Sequence, residues 1–279
     1  MTPTMQHTTA GTVRRLGNLF DDSGHSVVIA MDHGFMGRPR GFEDPRGLIR
    51  AVIGAQPDGL ILTAGMIRHA ADLLTGRGAP GIVMAMDQVI HEAENSTGHV
   101  EAHRPLTSVE EALRLGVDVA KTMLVMGLDS RAEQAENIAY LASMSELCRR
   151  HEVPLMVEPY LHGPRVPTDP DARAACLADG ARIALEVGAD MLKLEYTGDK
   201  ESFRAVVDAS PVPVFILGGP KRPTRRETLA DVVDAAECGV VGLTIGRNVW
   251  QHPDPIRMVA ALRTALVDRD LERAMAVLE

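Results

Sequence analysis

Lys193 is the residue whose type and position carry the most chemistry in this 279-residue chain. It lies inside Gly188-Ala189-Asp190-Met191-Leu192-Lys193-Leu194-Glu195-Tyr196-Thr197-Gly198, in the middle of a run that reads as a buried strand. Such strands are nearly continuous Val, Ile and Leu, and desolvating a lone ammonium costs several kcal/mol or forces the amine neutral. A neutral lysine amine is a nucleophile toward carbonyl carbon. The bland alternative is a lysine that snorkels past its neighbours to water.

The elements that would position this amine repeat along the chain. Short apolar runs at Val27–Met31, Gly59–Leu62, Gly81–Met86, Val117–Val125, Pro154–Val157, Met191–Leu194, Val212–Leu217 and Val240–Ile245 alternate with amphipathic helical stretches. Strand–helix alternation implies right-handed crossovers and a parallel sheet with helices outside. Eight strand candidates in one series predict an α/β fold of the closed (β/α)8 barrel type, in one domain over residues 11–279 behind a polar arm over 1–10. An open doubly wound sheet would show a GxGxxG loop after an early strand, whereas the first strand here ends in Met31-Asp32-His33-Gly34.

Chemistry in such barrels gathers at the C-terminal ends of the strands. The residues at those ends are Asp32 and His33, Asp87 and Gln88, Glu158 and Tyr160, and Lys193 with Glu195 and Tyr196, while Lys121 falls within the fourth strand. The seventh strand ends in Gly218-Gly219-Pro220-Lys221 and the eighth in Gly246-Arg247-Asn248. Glycines there let backbone N–H groups approach an anion, Arg247 can fork onto phosphate oxygens, and Lys221 adds a point charge. The alternative is that these glycines only make tight turns. A metal held by Asp32, His33, Asp87 and His91 is a competing arrangement, although no close helical ligand spacing such as HExxH occurs.

Composition narrows the remaining classes. A formal net charge of −9 argues against a general nucleic-acid binder or a ligand of anionic membranes. Cys148, Cys176 and Cys238 are odd in number, widely spaced and without a CxxC pair, which fits a reduced cytoplasmic setting better than a disulfide framework. No run approaches membrane-spanning length. Met84, Met86, Met123 and Met126 read as core filling, Trp250 as packing against the barrel, and His99 and His103 as surface histidines in a loop after the third strand, with a substrate lid as the alternative.

Four segments together carry a resemblance: Met31-Asp32-His33-Gly34, Gly188–Lys193 with Tyr196-Thr197-Gly198-Asp199, Leu217–Lys221, and Gly246–Gln251. They resemble the archaeal-type class I fructose-bisphosphate aldolases, a group of DeoC/LacD-like Schiff-base enzymes that includes aminodideoxyheptulosonate synthase and the autoinducer-2 phosphate thiolase. The resemblance implies a (β/α)8 barrel, no metal, no cofactor and a higher-order homo-oligomer. It implies a Schiff-base lysine at Lys193, an acid/base tyrosine at Tyr160 and an assisting Asp32. It also implies a phosphate site at Gly218, Gly219, Gly246 and Arg247, with His33, Lys121, Glu158 and Lys221 as further substrate-binding residues. The substrates implied are a phosphorylated ketose, or dihydroxyacetone phosphate plus an aldehyde. Related activities on this scaffold are transaldol transfer, condensation with aspartate semialdehyde, acyl transfer and, in a different class, non-catalytic sugar-phosphate binding.

Two departures stand out. The family often reads Tyr-Pro-Arg-Gly around its tyrosine, whereas this chain has Glu158-Pro159-Tyr160-Leu161-His162-Gly163-Pro164-Arg165. Lys121 adds a second cation, similar to the tagatose-bisphosphate and sulfosugar-phosphate branch. It either lowers the basicity of Lys193 by like-charge repulsion or binds a substrate oxygen, or it pairs with a buried acid such as Glu158. The loop Gly37-Arg38-Pro39-Arg40-Gly41 is read as surface, with a second phosphate as the alternative.

Overall fold

A computed structural model describes residues 9–36, 39–91, 100–219 and 222–279. Eight parallel strands close into a barrel: β1 (Ser26–Ala30), β2 (Gly59–Leu62), β3 (Gly81–Ala85), β6 (Val119–Val125), β7 (Leu155–Tyr160), β8 (Met191–Leu194), β9 (Val214–Leu217) and β10 (Gly242–Ile245), with β10 returning to β1. The predicted (β/α)8 architecture is the observed one. Closure leaves no unpaired edge, so every barrel strand finds hydrogen-bond partners on both sides.

Side chains alternate across these strands, and the alternation decides what faces the axis. Leu155, Val157, Leu192 and Leu194 point outward into the large core under the helices. Val119, Met156, Met191 and Phe215 point inward and form an apolar layer in the barrel. One step further along the same strands, the inward positions are Lys121, Glu158 and Lys193, all buried. A polar layer therefore rests directly on an apolar one. The N-terminal end of the barrel is stoppered by Leu16, Leu19 and Phe20 at and just beyond helix α1 (Ala10–Leu16).

The helices begin where short polar side chains can accept their first N–H groups. Thr63, Ser108, Ser130, Asp169, Asp199, Thr224, Asp254 and Asp270 all do so, and proline opens the helices at Pro45, Pro170 and Pro255. At the other end of the barrel a different device recurs. Asp58, Asp118 and Asp190, each immediately before a strand, accept the backbone N–H of Val27, Ile82 and Leu155 at 2.7–2.8 Å. Each stitches its strand to the start of a neighbour.

Three elements differ from the sequence expectation. An antiparallel hairpin, β4 (Asp87–His91) and β5 (Val100–Pro105), follows β3 where a loop was expected. Its strands mix polar and apolar residues rather than repeating Val and Ile, which hides them from a search for buried runs. Helix α1 starts at Ala10, capped by Thr9, so the polar arm ends before residue 10; residues 1–8 lie outside the described residues. A four-residue helix, α9 (Arg247–Trp250), follows β10 directly.

Candidate active site

The two barrel lysines meet on one carboxylate. Lys193 Nζ donates to Glu158 Oε2 at 2.8 Å, and Lys121 Nζ lies 2.6 Å from the same oxygen. The isolated ammonium expected from the sequence is thus an ion triad, and the pairing alternative weighed for Lys121 is the observed one. Burial works against both charge types here, yet the mutual attraction prevails. Desolvation would raise the Glu158 carboxyl, but Lys121 and Lys193 hold it down to about 2. Desolvation would likewise lower Lys121, but Glu158, Asp32 and Asp87 raise it above the ordinary lysine value. Lys121 therefore keeps its proton.

Around this triad the rim residues converge on a cavity of about 740 Å³, lined among others by Asp32, His33, Lys121, Glu158, Tyr160, Lys193, Gly218, Gly219, Gly246 and Arg247. Tyr160 ends β7 one inward position above Glu158, and its ring stacks on His162 at 5.3 Å. Burial, with the Glu158 charge, pushes its phenol up to about 12, so it stays protonated at neutral pH. Asp32 follows β1 with its carboxylate 3.8 Å from His33 Nδ1. Burial pushes the His33 imidazole down, and its ring meets Trp250 edge-on at 5.5 Å. Trp250 donates to the Ala30 carbonyl at 3.1 Å and so locks α9 onto the end of β1.

The two glycine turns come together as expected, but each glycine has its own reason. Gly219 adopts φ +56, a left-handed conformation that glycine takes without strain. At Gly246 the reason is space, because a Cβ there would lie 2.5 Å from the Ala30 carbonyl and 2.7 Å from His33 Cε1. Gly218 contributes close approach rather than a donor, since its N–H already goes to Thr244 O at 3.3 Å. Arg247 Nη2 donates to Gly219 O at 3.1 Å, Asn248 to Gly218 O at 3.3 Å, and the buried Arg247 Nε meets no acceptor. Lys221, expected in this site, lies outside the described residues, as do Gly37 and Arg38 of the first loop.

Other polar residues at or next to the cavity escaped the sequence reading. His103, read as a surface residue, is half-buried on β5 with its side chain 7% exposed, and its Nε2 lies 2.8 Å from Asp87 Oδ2. The same Asp87 oxygen takes the Thr122 hydroxyl and the Met123 N–H, leaving its other oxygen buried without a donor. Arg173, one turn into helix α6 (Pro170–Glu186), reaches the cavity and grips Glu195 through two bonds of 2.7 and 2.9 Å. The carboxylate two residues beyond Lys193 was the only sequence trace of that pair. Among the described residues no three His, Cys, Asp or Glu side chains come together as a metal site, and Asp87 faces hydrogen-bond donors instead.

Comparison with known proteins places this arrangement. The profile described as DeoC/LacD family aldolase matches residues 26–252. The 2-amino-4,5-dihydroxy-6-oxo-7-(phosphonooxy)heptanoate synthase of Streptomyces griseus is 31% identical over 86% of this chain and 84% of its own. The 2-amino-3,7-dideoxy-D-threo-hept-6-ulosonate synthase of Halobacterium salinarum is 33% identical over 96% of this chain and 97% of its own. An archaeal fructose-1,6-bisphosphate aldolase, solved with its catalytic lysine bound to the carbinolamine intermediate, superposes with a TM-score of 0.76 at 27% identity, covering 91% of this chain and 99% of that one. No described helix is long and apolar enough to cross a membrane. Two amines on a shared carboxylate, at the rim of a barrel whose sequence matches that family over most of its length, make this chain a member of the DeoC/LacD aldolases, a class I enzyme working through a Schiff base.

Proposed function

We propose that the enzyme joins dihydroxyacetone phosphate to an aldehyde, or cleaves the corresponding ketose phosphate, through an imine on Lys193. The observation that carries this reading is the triad, in which Lys121 retains its proton while Lys193 faces the cavity beside Tyr160. Lys193 reacts from its neutral form, held in place by Glu158 at 2.8 Å. The amine adds to the ketone carbon, and the carbinolamine loses water to give a protonated imine. Asp32 holds a hydroxyl and assists that dehydration.

In cleavage, Tyr160 first releases its own proton, the electrons of the C3–C4 bond move into the imine to form an enamine, and the C4 hydroxyl proton passes to the Tyr160 phenolate. In condensation the enamine carbon attacks the aldehyde, and Tyr160 returns the proton to the new alkoxide. The raised Tyr160 phenol is protonated at rest, the form condensation needs. General acid–base transfer of this kind contributes about 10²–10⁴-fold. Arg247, with Gly218, Gly219 and Gly246, anchors the phosphate and so fixes the carbonyl against the amine.

A biosynthetic role in condensation is a second reading, favoured by the two synthases among the relatives and by Glu158 beside the tyrosine. Incubation with dihydroxyacetone phosphate and sodium borohydride, followed by peptide mapping, tests the imine. A reduced three-carbon adduct on Lys193 is expected. Full activity in Lys193→Met, or activity removed by a chelator and restored by zinc, would overturn it.

A further inference from the structure

The charges lining the cavity are not evenly compensated. Among its described lining residues five are lysine or arginine: Lys121, Arg173, Lys193, Arg222 and Arg247. Four are matched by carboxylates. Lys121 and Lys193 share Glu158, Arg173 is clamped on Glu195, and Arg222 Nε donates to Asp231 at 2.7 Å. Arg247 alone has only a carbonyl partner among the described residues, with its buried Nε unmatched.

Across the ring it is an acceptor rather than a donor that is left over. Asp87 follows β3, which stands opposite β9 in the closed order of strands. One of its oxygens takes three donors, while the other is buried and meets none. Lys121, the nearest ammonium along that wall, is already engaged by Glu158.

A phosphate removed from water needs charge-assisted donors, and an uncompensated anion facing a carboxylate is strongly disfavoured. Substrate bound with its phosphate on Arg247 and its carbonyl at Lys193 extends its far end toward Lys121 and Asp87. We infer that the cavity accepts a single phosphate, at Arg247, and that the aldehyde partner is an unphosphorylated one whose hydroxyl or other hydrogen-bond donor meets Asp87. This deepens the Schiff-base reading above and rests on it for the direction in which substrate lies.

Calorimetric titration of the whole protein with inorganic phosphate counts the sites. One phosphate per chain is expected, weakened at least tenfold in Arg247→Leu, and none in protein whose lysine carries the reduced dihydroxyacetone phosphate adduct. A second phosphate of similar affinity, or one that still binds the reduced adduct, would overturn the inference. Condensation of dihydroxyacetone phosphate with glyceraldehyde is expected to exceed that with glyceraldehyde 3-phosphate at least tenfold in kcat/KM, and the reverse order would also overturn it. Glu195→Gln releases Arg173 and should move that ratio at least tenfold toward the phosphorylated aldehyde; an unmoved ratio counts against compensation as the cause. Failure of borohydride trapping would remove the imine reading, whereas the phosphate count on untreated protein reads the single site independently.

Discussion

Glu158 governs what the two amines can do, because a carboxylate between two ammonium groups stabilises both only while all three stay in place. Replacing it with Gln leaves two buried like charges face to face. Breaking a buried ion pair by removing one partner costs about 3–5 kcal/mol. Glu158→Gln is therefore expected to lose about that much in urea unfolding at neutral pH. The loss has a defined pH dependence, since the folded carboxyl is depressed to about 2, below the ordinary carboxylate range. Its stabilising contribution is complete above the unfolded value and disappears as pH falls toward 2, so the gap between wild type and Glu158→Gln should close over that interval. The amines themselves are separable. Lys121→Met should still give a borohydride adduct on Lys193, with slower formation, whereas Lys193→Met should give none; an adduct on Lys121 in the second variant would reverse the assignment. Lys193, Tyr160 and Asp32 were visible in the sequence because each interrupts or ends an apolar strand. His103 and Arg173 were not, because their partners Asp87 and Glu195 are brought to them only by the hairpin and by α6.

The elements were legible to the degree that local chemistry specifies them. Helix starts at Ser108, Ser130 and Asp254 are marked locally, since the capping side chain is itself the signal, whereas α1 behind Thr9 was not read as a helix. Barrel strands showed as apolar runs because both of their faces are covered. The hairpin β4–β5 mixes polar and apolar residues instead of forming an apolar run, and α9 is a single turn tied down by Trp250 reaching the Ala30 carbonyl, a contact no local pattern announces. The aspartates before β2, β6 and β8 were present in the sequence but had no evident role until the strands were paired. Asp190→Ala is expected to leave the Leu155 N–H without its acceptor, costing about 1–3 kcal/mol. Because this stitch lies at the strand starts and Lys193 faces the opposite end, unfolding should register the change while the rate of imine trapping does not.

The molecule as a whole divides its labour along the barrel axis. The polar layer of Lys121, Glu158 and Lys193 rests on the apolar layer beneath it, Val119, Met156 and Met191, and that layer is closed from below by Leu16, Leu19 and Phe20. Phe20 meets Phe215 edge-to-face at 5.6 Å, so the stopper contacts the same inner surface that supports the site. Two outcomes can be distinguished for a change at the stopper. If the apolar layers act only as fill, Leu19→Ala loses stability and nothing else. If they transmit position, the lysine layer shifts and substrate affinity changes with it. Protein interiors yield little around a new cavity, and a buried Leu→Ala change costs about 2–5 kcal/mol. The triad, however, is fixed by its own short ion pairs and by strand register, neither of which involves Leu19. Leu19→Ala is thus expected to unfold about 2–5 kcal/mol more easily, while KM for dihydroxyacetone phosphate and the trapping of Lys193 stay within twofold of wild type. A KM that rose in step with the lost stability would show instead that the chemistry depends on packing through the full depth of the barrel.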